Sequence, residues 1–160
     1  NGKGIYAQSK ALGEVINSKD LTFRTSIIGP ELKNNGIGLF HWFMKQQSKV
    51  SGFTQAFWSG VTTIELARAI ENAVDQELTG LCKLTNNSKI CKFDLIGEFN
   101  NVFRNNELEI KSDSNYKVDK SLISTRIDFN HKVPNYTEMI IEMKDWMFEH
   151  KQYYDQYKIF

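Results

Sequence analysis

The chain has 160 residues, of which 41% are hydrophobic and 24% are charged, and its formal net charge is +1. This length and composition are typical of one globular unit with a buried core. The sequence has no basic stripe to attract nucleic acid, and no run of about 18 apolar residues to span a membrane. We therefore expect neither nucleic acid nor a membrane as a partner.

Residues of the types that bind metals are few and scattered. Cys82 and Cys91 lack metal-ligand spacing, and two cysteines alone do not make a disulfide framework. His41 has no second ligand at helical or hairpin spacing, so it is interpreted as a surface or internally satisfied histidine. We predict reduced thiols in a cytoplasmic protein and no metal site.

The first predicted helix covers residues 6–16 and begins with the pattern Y-x-x-x-K. The four-residue spacing places the phenol of Tyr6 and the ammonium of Lys10 on one helix face. A neighbouring ammonium favours the phenolate form of a phenol, so the pair can pass a proton to or from a carbonyl oxygen. Taken alone, the pattern is also common on ordinary surface helices, and that interpretation stays open.

A β-rich run at residues 21–28 follows, and it stops at Gly29-Pro30. Its sequence Arg-Thr-Ser-Ile-Ile-Gly-Pro, together with Tyr-x-x-Ser-Lys upstream, resembles the second half of an extended short-chain dehydrogenase/reductase. Within that superfamily the chain is most similar to sugar-nucleotide reductases of the dTDP-4-dehydrorhamnose reductase type. The resemblance extends from Tyr6 to about Trp146.

The resemblance implies an α/β fold, the C-terminal part of an NAD(P)-binding Rossmann-type extended reductase with a small α/β substrate-binding subdomain. Residues 1–30 would be a remnant of the nucleotide-binding domain. Residues 31–150 would form mainly the substrate-binding subdomain, with some elements returning to the sheet. Residues 151–160 would be a tail that drapes on the surface or is disordered.

The start of the chain lacks parts that the resembled family has. It begins Asn-Gly-Lys-Gly, with neither an initiator Met nor a signal peptide. No G-x-G-x-x-G pattern occurs, and Gly36-Ile37-Gly38 is too short and follows the wrong element. The family's catalytic Ser or Thr would also precede residue 1. We expect a C-terminal fragment that alone binds NADPH weakly and does not turn over.

The implied reaction is hydride transfer from NADP or NAD to a 4-keto group on a nucleotide-linked hexose, in the synthesis of cell-surface polysaccharide precursors. Tyr6 would donate the proton, and Lys10 would assist it and hold the cofactor ribose. Ile28 and Gly29 would lie beside the nicotinamide. An epimerase or dehydratase shares the same Tyr and Lys, and a non-catalytic binding or scaffold domain could use the same fold. A homodimer is also compatible with the resemblance.

A polar, glycine-bearing loop at 31–38 leads to a predicted helix at 39–46. In the resembled family this part helps to form the substrate cleft, so Trp42 is a candidate wall against the base or sugar. Simple core packing is the alternative for this residue. Residues 49–53 and 56–61 are predicted as two short extended segments around a turn at 54–55.

The next predicted helix covers residues 62–74. Thr62 three residues before Glu65 predicts a capping box. An apolar face is also predicted, formed by Ile64, Ala67, Ile70 and Val74. In the resembled family this strand-to-helix junction faces the substrate, so its hydroxyls are candidate substrate ligands, with plain capping as the alternative: Ser59, Thr62 and Thr63.

Further downstream we predict a strand at 79–86, a helix at 92–103 and a strand at 107–112. Residues 118–126 resemble the family segment near the sugar-nucleotide diphosphate. Ile-Ser stands at 123–124 where many relatives have Asn-Ser, which leaves Arg126 as the phosphate partner or as a surface arginine.

The last predicted helix begins at Tyr136. A stripe at helical spacing predicts that one side of this helix belongs to the core: Met139, Ile140, Met143, Trp146 and Met147.

Overall fold

The computed structural model describes residues 4–157 and 159, which form a mixed α/β structure. The helices are α1 (Ile5–Leu12), α2 (Leu39–Met44), α3 (Thr63–Asp75), α4 (Lys92–Arg104) and α5 (Tyr136–Glu149). The strands are β1 (Leu21–Arg24), β2 (Ile27–Ile28), β3 (Lys49–Trp58), β4 (Val61–Thr62), β5 (Gly80–Lys83), β6 (Ile90–Cys91) and β7 (Glu109–Asp119). The predicted α/β class is confirmed.

The strands form three small sheets. β1 pairs in parallel with β5, and β2 pairs in parallel with β4. The third sheet has the order β6-β3-β7, with β3 antiparallel to β6 and parallel to β7. Parallel pairing needs a long crossover between the two strands, and here helices supply it: α3 lies between β1 and β5 in the chain.

The core lies where α4 packs between β3 and α5. Gly52 of β3 is essential to this packing, because a Cβ there would lie 2.7 Å from the Cα of Phe93 on α4. The largest side chains that are almost completely buried come from α2, α4 and α5: Phe40, Phe43, Leu95, Ile96, Phe99, Met139, Ile140, Met143 and Met147. Each side chain of this size stabilises the fold by about 1.5–3 kcal/mol relative to exposure.

The last helix agrees with its predicted stripe in all but one position. Asn135 and Glu138 form a capping box that fixes its start. The four aliphatic members of the stripe are buried, whereas Trp146 is 42% exposed and stacks on His150 with ring centroids 4.0 Å apart. Trp146 is therefore not a core residue.

The first helix is shorter than the prediction of 6–16. It ends at Leu12, and the Gly13 N–H donates to the Ser9 carbonyl at 3.1 Å to close the last turn. Glycine is a poor helix former, so the chain leaves the helix here. Beyond it, Glu14 pairs with Arg24 of β1 at 2.5 Å.

The predicted strand at 21–28 is two strands that belong to different sheets. Thr25 and Ser26 separate the two strands. At these two residues the chain stops pairing with β5 and begins to pair with β4. The Thr25 hydroxyl donates to the Leu84 carbonyl at 2.8 Å, and the Ser26 carbonyl accepts from the Val61 N–H at 3.0 Å.

The predicted turn at 54–55 is wrong, because β3 runs without a break from Lys49 to Trp58. A bulge in its pairing with β7 lies between Phe53 and Gln55, and the Thr54 hydroxyl donates to the Asp113 carbonyl at 3.2 Å. The bulge absorbs the irregularity that the sequence pattern suggested as a turn. β7 continues correspondingly to Asp119, seven residues past the predicted end at 112.

The apolar face predicted for α3 is also wrong. Ile70 is 47% exposed and Val74 is 70% exposed. The helix instead buries the side that carries Glu65, Ala69 and Ala73. Small residues on this side allow close packing, whereas Ile70 and Val74 face outward.

A buried hydrogen-bond network explains why Glu65 is inside. Its carboxylate accepts a hydrogen bond from Nε2 of His131 at 2.7 Å, and Nδ1 of His131 lies 2.9 Å from the amide nitrogen of Asn72. The Thr62 hydroxyl caps α3 by accepting from the Glu65 N–H at 3.3 Å. The reciprocal half of the predicted capping box is not formed, because the carboxylate is used by His131.

The tail drapes over the preceding fold through two short 3-10 helices, Lys151–Tyr153 and Asp155–Tyr157. Tyr157 is buried, and its hydroxyl accepts from the Glu31 N–H at 2.7 Å and lies 2.9 Å from Nδ1 of His41. His41 is itself buried, so it is not a surface residue.

Within residues 4–157 and 159, no helix is long and apolar enough to cross a membrane. The same residues include no group of three or more His, Cys, Asp or Glu side chains arranged to bind a metal ion. Cys82 and Cys91 are buried free thiols, and the Cys91 sulfur caps α4 by accepting from the Asp94 N–H.

Replacing Tyr157 by Phe tests the attachment of the tail. The Glu31 N–H and His41 would lose their shared partner, so we expect the free energy of unfolding to fall by about 1–3 kcal/mol in urea titrations. Tyr153→Phe is the matched control, because that ring is 58% exposed. Equal stability of the two variants would contradict this role of Tyr157.

Candidate active site and substrate cavity

The predicted catalytic pair lies on an exposed helix. Tyr6 is 77% exposed, and α1 buries none of its residues. The Lys10 Nζ lies 5.9 Å from the centroid of the Tyr6 ring, within cation–π range. The two side chains therefore share a helix face, as the four-residue spacing predicts, and both are open to a ligand.

A second group of predicted residues meets where β2 ends and α3 begins. Ile28 lies opposite Thr62 in the β2–β4 pair, and both are buried. Gly29 lies against Thr63, since a Cβ at Gly29 would be 2.6 Å from the Thr63 Oγ1. The structure thus brings the predicted nicotinamide neighbours next to two predicted substrate residues, and Thr63 presents the exposed hydroxyl.

Ser59 lies beside this junction but is fully buried. Its hydroxyl oxygen accepts from the Leu122 N–H at 2.6 Å, and the hydroxyl lies 3.3 Å from the Leu122 carbonyl oxygen. Both backbone groups of one residue are therefore tied to one side chain. This contact fixes the segment after β7 against the end of β3.

Trp42 is half-exposed and lines a cavity of about 610 Å³ between α2, β3, the start of α4 and the end of β7. We call it the aromatic cavity. Its aromatic walls come from five side chains: Trp42, Phe53, Phe57, Trp58 and Tyr116. Ser26 also lines it, and because the Ser26 carbonyl accepts from Val61, the cavity reaches the β2–β4 junction.

Two lysines give the aromatic cavity its charge. Lys92, the first residue of α4, and Lys120, just after β7, both line it, and none of the described lining residues is acidic. The Lys92 Nζ lies 5.2 Å from the centroid of the Trp58 ring. Burial, and secondarily the charge of Lys120, lower the pKa of Lys92 to about 8. An anion in this cavity would favour the charged form of Lys92 and so oppose both effects.

Arg126 lies elsewhere. Its Nε donates to Asp128 Oδ1 at 2.7 Å, its Nη2 also donates to Asp128, and its Nη1 donates to the Thr79 carbonyl at 2.6 Å. The hydrogen bonds to Asp128 raise the pKa of Arg126. It lines a different cavity, of about 400 Å³, so the structure does not give Trp42 and Arg126 a common cavity.

Most residues that line the aromatic cavity were not predicted from the sequence. The turn predicted at 54–55 divided β3, which hid that Phe53, Phe57 and Trp58 belong to one strand. The ten-residue run at 49–58 could have been recognised as one strand that carries aromatic residues on both of its faces. Lys92 and Lys120 gave no signal, because only the three-dimensional fold brings them together.

No protein-family model matches the chain, and no curated protein matches it. Solved structures do match. The dTDP-4-dehydrorhamnose reductase of Bacillus anthracis, in complex with NADP, is 15% identical, with a TM-score of 0.69 over 88% of this chain and 52% of that chain. The Clostridium acetobutylicum enzyme of the same name is 13% identical, with a TM-score of 0.64 over 79% of this chain and 48% of that chain.

A third similar structure is the UDP-N-acetylglucosamine 4-epimerase of Methanobrevibacter ruminantium, in complex with UDP-N-acetylmuramic acid. It is 13% identical, with a TM-score of 0.58 over 91% of this chain and 50% of that chain. The comparisons confirm the predicted Rossmann-type extended short-chain dehydrogenase/reductase fold. The chain spans about half the length of each of these solved proteins.

Ser59→Ala separates an anchoring role from substrate contact. Losing the hydroxyl leaves two Leu122 backbone groups unpaired, so we expect a loss of about 1–3 kcal/mol in unfolding free energy and faster amide exchange at Leu122. Ser48→Ala is the control, because Ser48 is exposed just before β3. Unchanged exchange at Leu122 would contradict the anchor.

Proposed function

We propose that this chain forms the proton-donating and substrate-binding part of an NAD(P)-dependent reductase that acts on a 4-keto nucleotide-hexose. The observation that carries the proposal is the Tyr6–Lys10 pair on one exposed helix face, in a fold shared with solved sugar-nucleotide enzymes. We place the reaction in the cytoplasm, in the synthesis of cell-surface polysaccharide precursors.

The residues present fit one side of a nicotinamide site. Tyr6 and Lys10 are exposed hydrogen-bond donors that a ribose could reach. Gly29, at the end of β2, packs closely against Thr63, and buried Ile28 holds the strand end in place. Bound NADP or NAD would supply the hydride.

Tyr6 then completes the reduction by donating its phenolic proton to the oxygen of the former keto group. The phenolate that remains is stabilised by the Lys10 ammonium on the same helix face. General acid catalysis of this kind is typically worth about 10² to 10⁴ in rate.

The nucleotide-sugar occupies the aromatic cavity in this proposal. Its volume of about 610 Å³ lies within the range of ligand sites. Trp42 and its aromatic neighbours would stack on the base or sugar, and Lys92 and Lys120 would pair with the diphosphate. Thr63 is the accessible hydroxyl for the sugar.

The other predicted substrate residues take different parts. Ser59 and Thr62 are buried, so we assign them to positioning the junction from behind. Arg126 is held by Asp128 and lines the other cavity. The alternative proposal is that Arg126, rather than Lys92 and Lys120, pairs with the diphosphate.

An epimerase is the second candidate, favoured by the likeness to the solved UDP-N-acetylglucosamine 4-epimerase. The two activities differ in their net consumption of cofactor, because a reductase consumes one NAD(P)H for each product and an epimerase consumes none. Product analysis with and without added NADPH distinguishes them.

Tyr6→Phe tests the proton donor in a form of the protein that turns over NADPH. We expect kcat to fall by about 10² to 10⁴, with substrate binding retained. Tyr153→Phe is a control for loss of an exposed phenol hydroxyl. Near-normal turnover of Tyr6→Phe would exclude this role and favour a non-catalytic domain.

Nucleotide binding tests whether the aromatic cavity is the site of the nucleotide-sugar. We expect dTDP or UDP to raise the melting temperature of this chain, because charge-assisted hydrogen bonds to a diphosphate are each worth about 1.5–3 kcal/mol. Lys120→Met should reduce the shift more than Arg126→Ala does. A larger effect of Arg126→Ala than of Lys120→Met would assign the diphosphate to Arg126. Equal stabilisation by free hexose would exclude recognition of the nucleotide.

Binding should also take up a proton. At about pH 8.5 most of the free Lys92 is neutral, since its pKa is lowered to about 8, and the diphosphate favours the ammonium. The affinity should therefore fall as the pH rises through this range. Calorimetry in two buffers of different ionisation enthalpy should show the uptake, and Lys92→Met should abolish it. A binding enthalpy independent of buffer would contradict the role of Lys92.

A further inference from the structure

The second cavity, of about 400 Å³, lies at the carboxyl end of β5, between the loop at residues 84–87 and the segment at 124–133. We call it the polar cavity. It is lined by different residues from the aromatic cavity, and its volume is within the range of about 300–1,000 Å³ for small-molecule sites. The proposed reaction does not require it.

The charge of the polar cavity is positive and only partly compensated. Lys83, Arg126 and Lys132 line it together with His131, and none of its described lining residues is acidic. Arg126 is paired with Asp128, and His131 is held by Glu65. Lys83 and Lys132 have no ion-pair partner within residues 4–157 and 159, so two ammonium groups remain for a ligand.

Thr85, which lines this cavity, also has an unsatisfied buried hydroxyl. Thr85 is 5% exposed, and its Oγ1 has no hydrogen-bond partner among the described residues. Unpaired buried polar atoms are uncommon in folded proteins and need an explanation. A ligand oxygen in the cavity would supply the missing partner.

The loop that forms one wall is already held in shape. The Asn87 carbonyl oxygen Oδ1 accepts from the Ser124 N–H at 2.6 Å, and Nδ2 of Asn86 donates to the Pro134 carbonyl at 3.3 Å. Asn87 has a φ of 58°, which a short polar side chain tolerates. Its amide NH₂ has no partner within the described residues and adds another donor. The loop that carries Thr85 and Asn87 is therefore held in shape before binding, which lowers the entropic cost of ordering it.

The remaining wall is apolar. Leu84, Phe129 and Val133 line it, and the Phe129 ring stacks on His131 with centroids 5.3 Å apart. Free ammonium, hydroxyl and amide donors select a compact anion with several acceptor oxygens, such as a phosphate dianion. The apolar side and the cavity volume favour an organic group attached to that phosphate.

We infer that the polar cavity binds a small phosphate monoester through Lys83, Lys132 and Thr85, separately from the aromatic cavity. Such a ligand would connect β5 with the segment at 124–133. Two residues before this segment, the chain is anchored by the hydrogen bond from the Leu122 N–H to the Ser59 hydroxyl.

Calorimetric titration with ribose 5-phosphate, at fixed ionic strength, tests the inference. We expect saturable binding with one site per chain, tighter than that of inorganic phosphate. Lys83→Ala and Lys132→Ala should each weaken it by about tenfold, the effect of losing one charge-assisted contact. Lys132 is exposed, so its replacement should leave the fold intact, as circular dichroism would verify.

Two control variants make the result specific. Lys33→Ala removes an exposed lysine that lines neither cavity, and Lys120→Ala removes a lysine of the aromatic cavity. Both should bind ribose 5-phosphate normally. The inference is overturned by an absence of saturable binding, by unchanged affinity in both Lys83→Ala and Lys132→Ala, or by inorganic phosphate binding as tightly. Loss of binding in Lys120→Ala would also overturn it, because the ligand would then occupy the aromatic cavity.

Discussion

The close packing of α4 on β3 is the contact on which the rest of the structure depends. A side chain at Gly52 would meet the backbone of α4, so only glycine allows this approach. β3 carries both β6 and β7, and α4 is covered on its far side by α5. Because Lys92 begins α4 and three of the five aromatic lining residues lie along β3, the same contact that builds the core also forms part of the aromatic cavity.

The cavity combines a large apolar area with positive charge that is expensive to maintain. Burial disfavours the Lys92 ammonium, and the nearby Lys120 adds repulsion. No described acidic residue in the lining offsets this cost. In the proposed function, the flat ring of a nucleoside diphosphate would stack on the aromatic walls, and its negative charge would pair with the two lysines.

The sequence was informative where a residue's role depends on its near neighbours. The Tyr6–Lys10 face, the α4 and α5 helices and the strand before Gly29 follow from spacing and local preference, and the fold resemblance is confirmed by solved structures. Three-dimensional contacts decided the rest. α3 buries Glu65 because His131, distant in sequence, donates a hydrogen bond to its carboxylate, and β3 continues through 54–55 because β7 pairs with it. Arg126 could not be separated from Trp42 before the positions of their cavities were known.

We propose that the aromatic cavity is the nucleotide site, and the three tryptophans of the chain report on whether a nucleotide binds there. Trp42 and Trp58 line the cavity. Trp146 lies on α5 and stacks on His150, which directly follows this helix. In a titration with dTDP followed by the indole N–H signals in NMR spectra, Trp42 and Trp58 should shift with one common dissociation constant, while Trp146 stays in place. At saturating dTDP, unchanged Trp42 and Trp58 signals, or a shift of Trp146 alone, would exclude the aromatic cavity as the nucleotide site.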